Sequence, residues 1–417
     1  MNYFIFFFRI VFSITILTNF SCFSQERFAK DQTPTLKKDV SYLSSDALEG
    51  RLIGSKGEKL AADYIIKRFK KIGLTPVGEK HSYLQKFTVK PKANPHSIIK
   101  DTTTITGNNV IGFLDNKAKK TIIIGAHYDH IGYGEMGGSL SASKDKKIHN
   151  GADDNASGIA AMFALAERVK VLKLKSYNYL FLAFTGEEHG LWGSNYYAKN
   201  STIDLKSVAF MINMDMVGRL DKENRIAIHG TGTSPVWDTV IENIKVPAFK
   251  IKKHASGVGP SDHTSFYLQD IPVLHFFTGQ HEDYHKPTDD AHLINYYGLE
   301  LVVDYLEELL RIMNDKPAPV FTKTKEELSA TPSFKVTLGV VPDYLYNEVG
   351  MRFDGIKEGS PADKAKLMKG DIIKKMGDIE VIDIMSYMQA LGKFEKGQTI
   401  TILIERDGKI LEKKLTF

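Results

Sequence analysis

The stretch "YNYLFLAFTGEEHGLWGSNYYAKN" runs from Tyr177 to Asn200 and holds the plan of the fold in miniature. Residues 179–184 are wholly apolar, short and bounded by Gly186, which reads as a strand buried on both faces of a parallel sheet. The run then drops into two adjacent glutamates, Glu187 and Glu188, before a helical segment begins. Like charges at the mouth of a buried strand repel and resist desolvation, so something must compensate them.

The same unit recurs along the chain. "KTIIIGAHYDH" (120–130), "SVAFMINMDMVG" (207–218) and "IPVLHFFTG" (271–279) read as buried strands. "SGIAAMFALAERVKVL" (157–172), "SPVWDTVIENI" (234–244) and "YGLELVVDYLEELLRIM" (297–313) carry the 3–4 spacing of helices. Upstream, helices are expected in "TLKKDVSYLSS" (35–45) and "GEKLAADYIIKRFKKIG" (57–73), with the Gly-rich loop "DALEGRLIGSKGE" between them. "SYLQKFTV" (82–89) and "NNVIGFLD" (108–115) read as further strands. The predicted class is α/β: a mostly parallel central sheet flanked by helices, with ligand sites beyond the carboxyl ends of the strands.

Metal-capable side chains sit at those ends. His127 and Asp129 follow one strand, Glu187 and Glu188 another, Asp215 a third and His285 the fourth; Asp153 and Asp154 precede a helix. Singly, each reads as a solvated loop residue or a helix cap. Converging on one rim, they need cations. Nitrogen and oxygen donors without thiolate suit Zn²⁺, with Mn²⁺ or Co²⁺ as alternatives, and two ions sharing one carboxylate would neutralise most of the charge.

"GAHYDH", "NGADDNASG", "TGEEHGLWGS", "NMDMVGR" and "YHKPTDD" resemble, in order and over roughly residues 35–313, the two-zinc aminopeptidases of the M28 family. The resemblance implies a zinc exopeptidase-like fold and two Zn²⁺ per chain: His127 and Asp215 on one ion, Glu188 and His285 on the other, Asp154 bridging. It makes Glu187 the general base, Asp129 the group orienting His127, and Tyr284 the phenol that polarises the scissile carbonyl. Asp153 is a cap or supports its neighbour. Asp262 and His263, in "SGVGPSDHTSFY" (256–267), either approach substrate or, for Asp262, cap a helix starting at His263. The Gly/Ser-rich loop 131–150 is a lid or a surface insertion. The implied substrates are peptides with a free N-terminus. A carboxypeptidase- or dipeptidase-like activity on the same fold, or an inert peptide-binding scaffold, are the alternatives.

The C-terminal part resembles a PDZ domain, a small β-rich module, most specifically in "GSPADKAKLMKGDII" (359–373). That resemblance makes Leu338, Gly339 and Val340 the loop receiving a peptide C-terminus, unless the module only packs on the enzyme. The organisation expected is a signal peptide at 1–24, a peptidase domain at 25–315, a linker at 316–331 and the PDZ domain at 332–417.

The apolar run 3–20 resembles a secretory signal, which places the protein in the periplasm, at the outer membrane or in the medium. Cys22 is the only cysteine, so no intramolecular disulfide forms. It is either removed by cleavage after Ser24 or lipidated as an anchor. With 55 basic and 50 acidic residues, a net charge of +5 is too small and dispersed for a nucleic-acid binder.

Overall fold

The computed structural model describes residues 31–90, 104–141, 145–245, 247–324, 336–343, 346, 348–356, 359–382 and 384–417. The leader assigned to 1–24, with Cys22, and part of the linker assigned to 316–331 lie outside them.

Two helices open the described chain, α1 (Thr33–Leu43) and α2 (Lys56–Ile72). α2 has the ends its sequence asks for: the Ser55 side chain accepts from Glu58 N, and Gly73 closes the last turn at φ 84°. Strands β1 (Thr75–Pro76), β2 (Leu84–Val89), β3 (Ile105–Leu114) and β4 (Thr121–His127) follow. Then come α3 (Gly158–Leu172), β5 (Asn178–Phe184), α4 (Trp192–Lys199), β6 (Val208–Met214) and β7 (Arg225–His229). The first unit closes with α5 (Val236–Asn243), β8 (Lys250–His254), α6 (His263–Tyr267), β9 (Val273–Phe277) and α7 (Tyr296–Asn314).

The nine strands form one sheet in the order β1-β3-β5-β4-β6-β9-β7-β8, with β2 paired to β3. Its centre, β5-β4-β6-β9, is parallel throughout. The alternation of apolar strands and helices dictates this, since each crossover helix returns the chain to the same end. Antiparallel pairs flank the centre: β3 with β5 on one side, β7 with β9 on the other. β4, β5 and β6 are buried along their whole length, the signature of a sheet covered on both faces. α3 is buried on nearly all sides. Its Phe163 meets Phe69 of α2 edge-on, with ring centroids 5.9 Å apart. Each such side chain contributes roughly 1.5–3 kcal/mol by leaving water.

The second unit has its own core, including Leu338, Met351, Phe353, Ile373, Ile402 and Ile404. Its elements are β10 (Val340–Pro342), β11 (Met351–Ile356), α8 (Pro361–Lys364), β12 (Ile372–Met376), β13 (Ile379–Glu380), α9 (Ile384–Leu391), β14 (Thr399–Arg406) and β15 (Lys409–Thr416). The strand order is β10-β11-β12-β14-β15, with β13 on β12, so β10 is an edge strand. Asp407 and Gly408, at φ 51° and 72°, make the two-residue turn between β14 and β15 that their sequence favours.

Candidate metal centre

Register brings the predicted donors together. His127 ends β4 opposite Phe184, the last residue of β5, and Met214 at the end of β6 lies opposite Phe276 of β9. Parallel strands in this register deliver His127, Glu187, Glu188, Asp215 and the loop bearing His285 to one edge of the sheet.

Three supports hold the intervening loops. Arg51, fully buried, donates to the carbonyls of Tyr128 (2.7 Å), Asn150 (2.6 Å) and Gly151 (3.0 Å), tying the segment after His127 to the segment before Asp154. Burial lowers the Arg51 guanidinium to about 10, against the pull of Asp129, Asp154, Asp289 and Glu188, so it remains a cation at neutral pH. The Asp289 carboxylate accepts from the backbone N–H groups of Asp153 and Asp154 at 3.0–3.1 Å. Asn155 donates to Met214 O (2.9 Å) and accepts from Met216 N (3.2 Å), locking the turn that carries Asp154 to the end of β6.

Asp154 sits between two imidazoles. Its Oδ1 is 3.3 Å from His127 Nε2 and its Oδ2 is 3.2 Å from His285 Nε2. His127 Nε2 is also 3.2 Å from Asp215 Oδ1, and His285 Nε2 is 2.9 Å from Glu188 Oε2. The donor atoms of His127, Asp154 and Asp215 lie within 4.8 Å of one another, as do those of His130, Asp154 and Glu188. Burial opposes the charged form of both imidazoles, yet the neighbours prevail: Asp215 and Glu187 hold the His127 imidazole well above its usual pKa, and Glu188 and Asp154 do so for His285. Burial likewise opposes ionisation of Asp154, but His127 and His285 hold its carboxyl well below the usual range. Nitrogen and oxygen donors, no sulfur, one carboxylate presenting an oxygen to each side: this set fits two divalent cations, which would take the place of the protons that now balance the charge.

The remaining predicted residues are placed as follows. Glu187 and Tyr284 line the same cleft as Asp154, Glu188 and Asp215. Burial, then Asp215, Asp262 and Glu188, push the Glu187 carboxyl well up, against His127. The Tyr284 ring stacks on His285 at 3.9 Å between centroids. Asp129 is buried, but its carboxylate lies 3.7 Å from His127 Nδ1, beyond hydrogen-bond reach, and its backbone carbonyl is nearer at 3.3 Å. Asp129 Oδ1 instead accepts from Glu187 N at 3.2 Å. Asp153 supports its neighbour: Oδ1 accepts from Gly218 N (2.7 Å) and Oδ2 lies 3.2 Å from His281.

Asp262 occupies the N-cap position of α6, yet its side chain makes no cap bond. Asp262 and His263 are both fully buried, and neither lines the cleft. Burial pushes Asp262 up to about 7 and His263 down to about 3. His263 stacks on His275 with centroids 4.6 Å apart, and it is His275, with His229, that reaches the cleft wall. Loop 131–150 touches the centre directly, since Gly138 O lies 2.9 Å from His285 Nδ1. In the second unit Leu338 is buried in the core, Gly339 takes φ 75° and Val340 begins β10.

Six participants were not assigned from sequence: Arg51, His130, Asn155, His229, His275 and Asp289. The spacing of GAHYDH put His130 within reach of the centre, and the Gly-Arg pair in 50–51 marked a special backbone site, where Arg51 has φ 48°. His275 stands out as the one imidazole in the apolar run of β9.

Residues 109–310 match the model of peptidase family M28, and residues 336–416 match the PDZ domain. The chain carries an M28 peptidase domain and a PDZ domain. The M28 domain is 32% identical over 168 residues to the alkaline phosphatase isozyme conversion protein of Escherichia coli, covering 40% of this chain and 46% of that one. The chain is 27% identical over 250 residues to aminopeptidase YwaD of Bacillus subtilis, covering 56% of this chain and 50% of that one. The chain thus spans about half the length of these curated relatives. Among solved structures, its fold is similar to a zinc aminopeptidase from Bacillus subtilis (TM-score 0.53, 18% identity, covering 72% of this chain and 100% of that one). It is also similar to a glutaminyl cyclase from Porphyromonas gingivalis (0.52, 17%, 67% and 98%). A fold similar to this one therefore occurs in proteins named for different reactions, and residues must decide between them.

Proposed function

We propose that this protein is an exported two-zinc aminopeptidase that removes N-terminal residues from peptides. The observation carrying this reading is that Asp154 presents one oxygen to His127 and the other to His285, with Asp215 and Glu188 completing the two sides. His127, Asp154 and Asp215 would hold one ion; Asp154, Glu188 and His285 would hold the other. When bound there, zinc would lower the pKa of a coordinated water towards about 7 and polarise a carbonyl oxygen.

The chain's own groups do the rest. Glu187 faces the cleft without belonging to either donor triad, so its carboxylate is free to take the proton of the attacking water and return it to the departing amine. Tyr284, whose ring stacks on His285, would offer its phenol to the oxygen of the scissile carbonyl. The acidic character of this rim suits a free α-amine better than a blocked one, so N-terminal residues are the expected substrates. Met216, Phe277 and Pro260 supply apolar surface for the side chain.

Edge strand β10, following Gly339 at φ 75°, is arranged to add a peptide strand whose C-terminal carboxylate meets the N–H groups of 338–340. Export rests on the apolar run 3–20, and mass spectrometry of the mature N-terminus separates cleavage after Ser24 from lipidation of Cys22. For the activity, protein purified without chelator is offered aminoacyl-anilides beside N-blocked analogues. Hydrolysis of the free-amine substrates alone is expected. Cleavage confined to blocked substrates rejects the aminopeptidase reading, and bound zinc without any hydrolysis favours the scaffold.

A further inference from the structure

Glu188 has a second imidazole neighbour. His285 Nε2 faces its Oε2 at 2.9 Å, while His130 Nδ1 lies 2.6 Å from its Oε1, so the carboxylate is gripped on both sides. His130 is fully buried, and its Nδ1 is 3.8 Å from Asp154 Oδ2. Two roles suit such a residue: a further metal ligand, or a donor that sets the position of one.

The other ring nitrogen decides between them. His130 Nε2 is buried and has no hydrogen-bond partner among the described residues. Were Nδ1 to bind a metal, the ring proton would sit on Nε2 and leave a buried N–H donor unpaired, which proteins rarely tolerate. With the proton on Nδ1, that N–H donates to Glu188 and Nε2 is left as a bare acceptor, the cheaper of the two.

The ring has little room to change its mind. A Cβ on Gly151 would stand 2.6 Å from His130 Cγ and Cδ2, so the Gly151 backbone closes one face. The His285 ring meets it edge-on, with centroids 5.6 Å apart.

We propose that His130 is a positioning residue: its Nδ1–H donates to Glu188 Oε1 and leaves Oε2 as the single oxygen that faces the ion shared with His285. The inference rests on the two-zinc reading above. It makes the His127 and His285 sides unequal, because only the Glu188 side depends on an imidazole that binds no metal.

The test compares the full chain with His130→Ala and His130→Asn, whose side-chain amide nitrogen stands in for Nδ1. Zinc is counted and then titrated against a chromophoric chelator, and folding is checked by thermal melting in excess chelator. Wild type is expected to bind two ions. H130A should keep one at wild-type affinity and bind the other ~10–100-fold more weakly, the usual cost of losing such a partner. H130N should recover to within about fivefold of wild type. In a crystal structure of the zinc-loaded wild type, His130 Nδ1 should remain on Glu188.

Unchanged affinities in H130A overturn the inference and leave the two-zinc reading intact. So do equal losses in H130A and H130N, or a His130 nitrogen at about 2.0–2.1 Å from zinc, the ligand distance. If H130A does not melt cooperatively, H130N carries the comparison: weakening beyond about fivefold counts against the donor role, and affinity within that limit supports it. Fewer than two ions on wild type overturns the reading itself, and the inference with it.

Discussion

Replacing Glu187 by Gln separates the base from the metal centre. Glu187 lies outside both donor triads, so the glutamine variant should bind as much zinc as wild type. It should also fold as well. Burial and the neighbouring carboxylates already push the Glu187 carboxyl well up, and Gln has the shape of that neutral form. What disappears is the proton acceptor. General bases contribute about 10²–10⁴-fold, so kcat should fall by that factor, or roughly 3–5 kcal/mol of barrier. KM should change little, because the amide preserves the contacts of the cleft wall.

The metal-free protein offers a second readout of the same residue. The folded-state pKa of Glu187 lies above its unfolded value, so the folded state takes the proton first as pH falls. Relative to E187Q, metal-free wild type should therefore gain stability as pH drops through the folded value towards about 4.3, and hold that gain below it. Steady-state kinetics on an aminoacyl-anilide, zinc counting and urea melts at several pH values measure all three quantities. Activity within tenfold of wild type removes Glu187 from the mechanism; loss of zinc in E187Q makes it a ligand instead.

Asp154→Asn leaves one neutral amide oxygen where a carboxylate presented two, so both ions should weaken together and zinc content after dialysis should fall below one per chain, as measured by mass spectrometry of the metal. Gly138→Ala forces a side chain into a φ of 92° and disturbs the carbonyl beside His285 Nδ1; one zinc should weaken several-fold while the other is unaffected, read by chelator competition. His263 is neutral in the fold, with its pKa pushed down to about 3, and protonates in the unfolded chain near 6.5. Stability should therefore fall as pH drops from about 6.5 towards 3, by up to ~1.4 kcal/mol per pH unit, and His263→Phe should flatten that slope in denaturant melts. A chain ending before residue 332 should keep its anilide activity if the PDZ domain only recruits peptides, which the same kinetic assay measures.

The central sheet was legible because β4, β5 and β6 are short apolar runs with no other use than a doubly covered sheet. β7 and β8 were not. "RIAIH" is buried but holds only three apolar residues, too short a run to stand out, while "KIKKH" is rich in charge and β8 lies at the sheet edge, where one face stays wet and little apolar pattern survives. The donors at strand ends could be read because a strand fixes where its last residue goes, as with His127. His130 was missed although GAHYDH sets it near the centre, because nothing in the sequence separates a buried partner of a ligand from a solvated loop imidazole. Arg51 was hidden for a related reason: its work is done on main-chain carbonyls of distant loops, and no sequence pattern marks a carbonyl as needing a donor. His263 was read as either approaching substrate or opening a helix; it opens α6, and stacking on His275 holds it buried.

X-ray absorption at the zinc edge, on protein loaded to saturation and washed of free metal, bears most directly on the paired centre. Two zinc ions per chain are expected, with only nitrogen and oxygen neighbours at about 2.0–2.2 Å and a zinc–zinc distance of about 3.5–4 Å, as a shared Asp154 requires. A single ion per chain, or two with no metal neighbour at that distance, contradicts it.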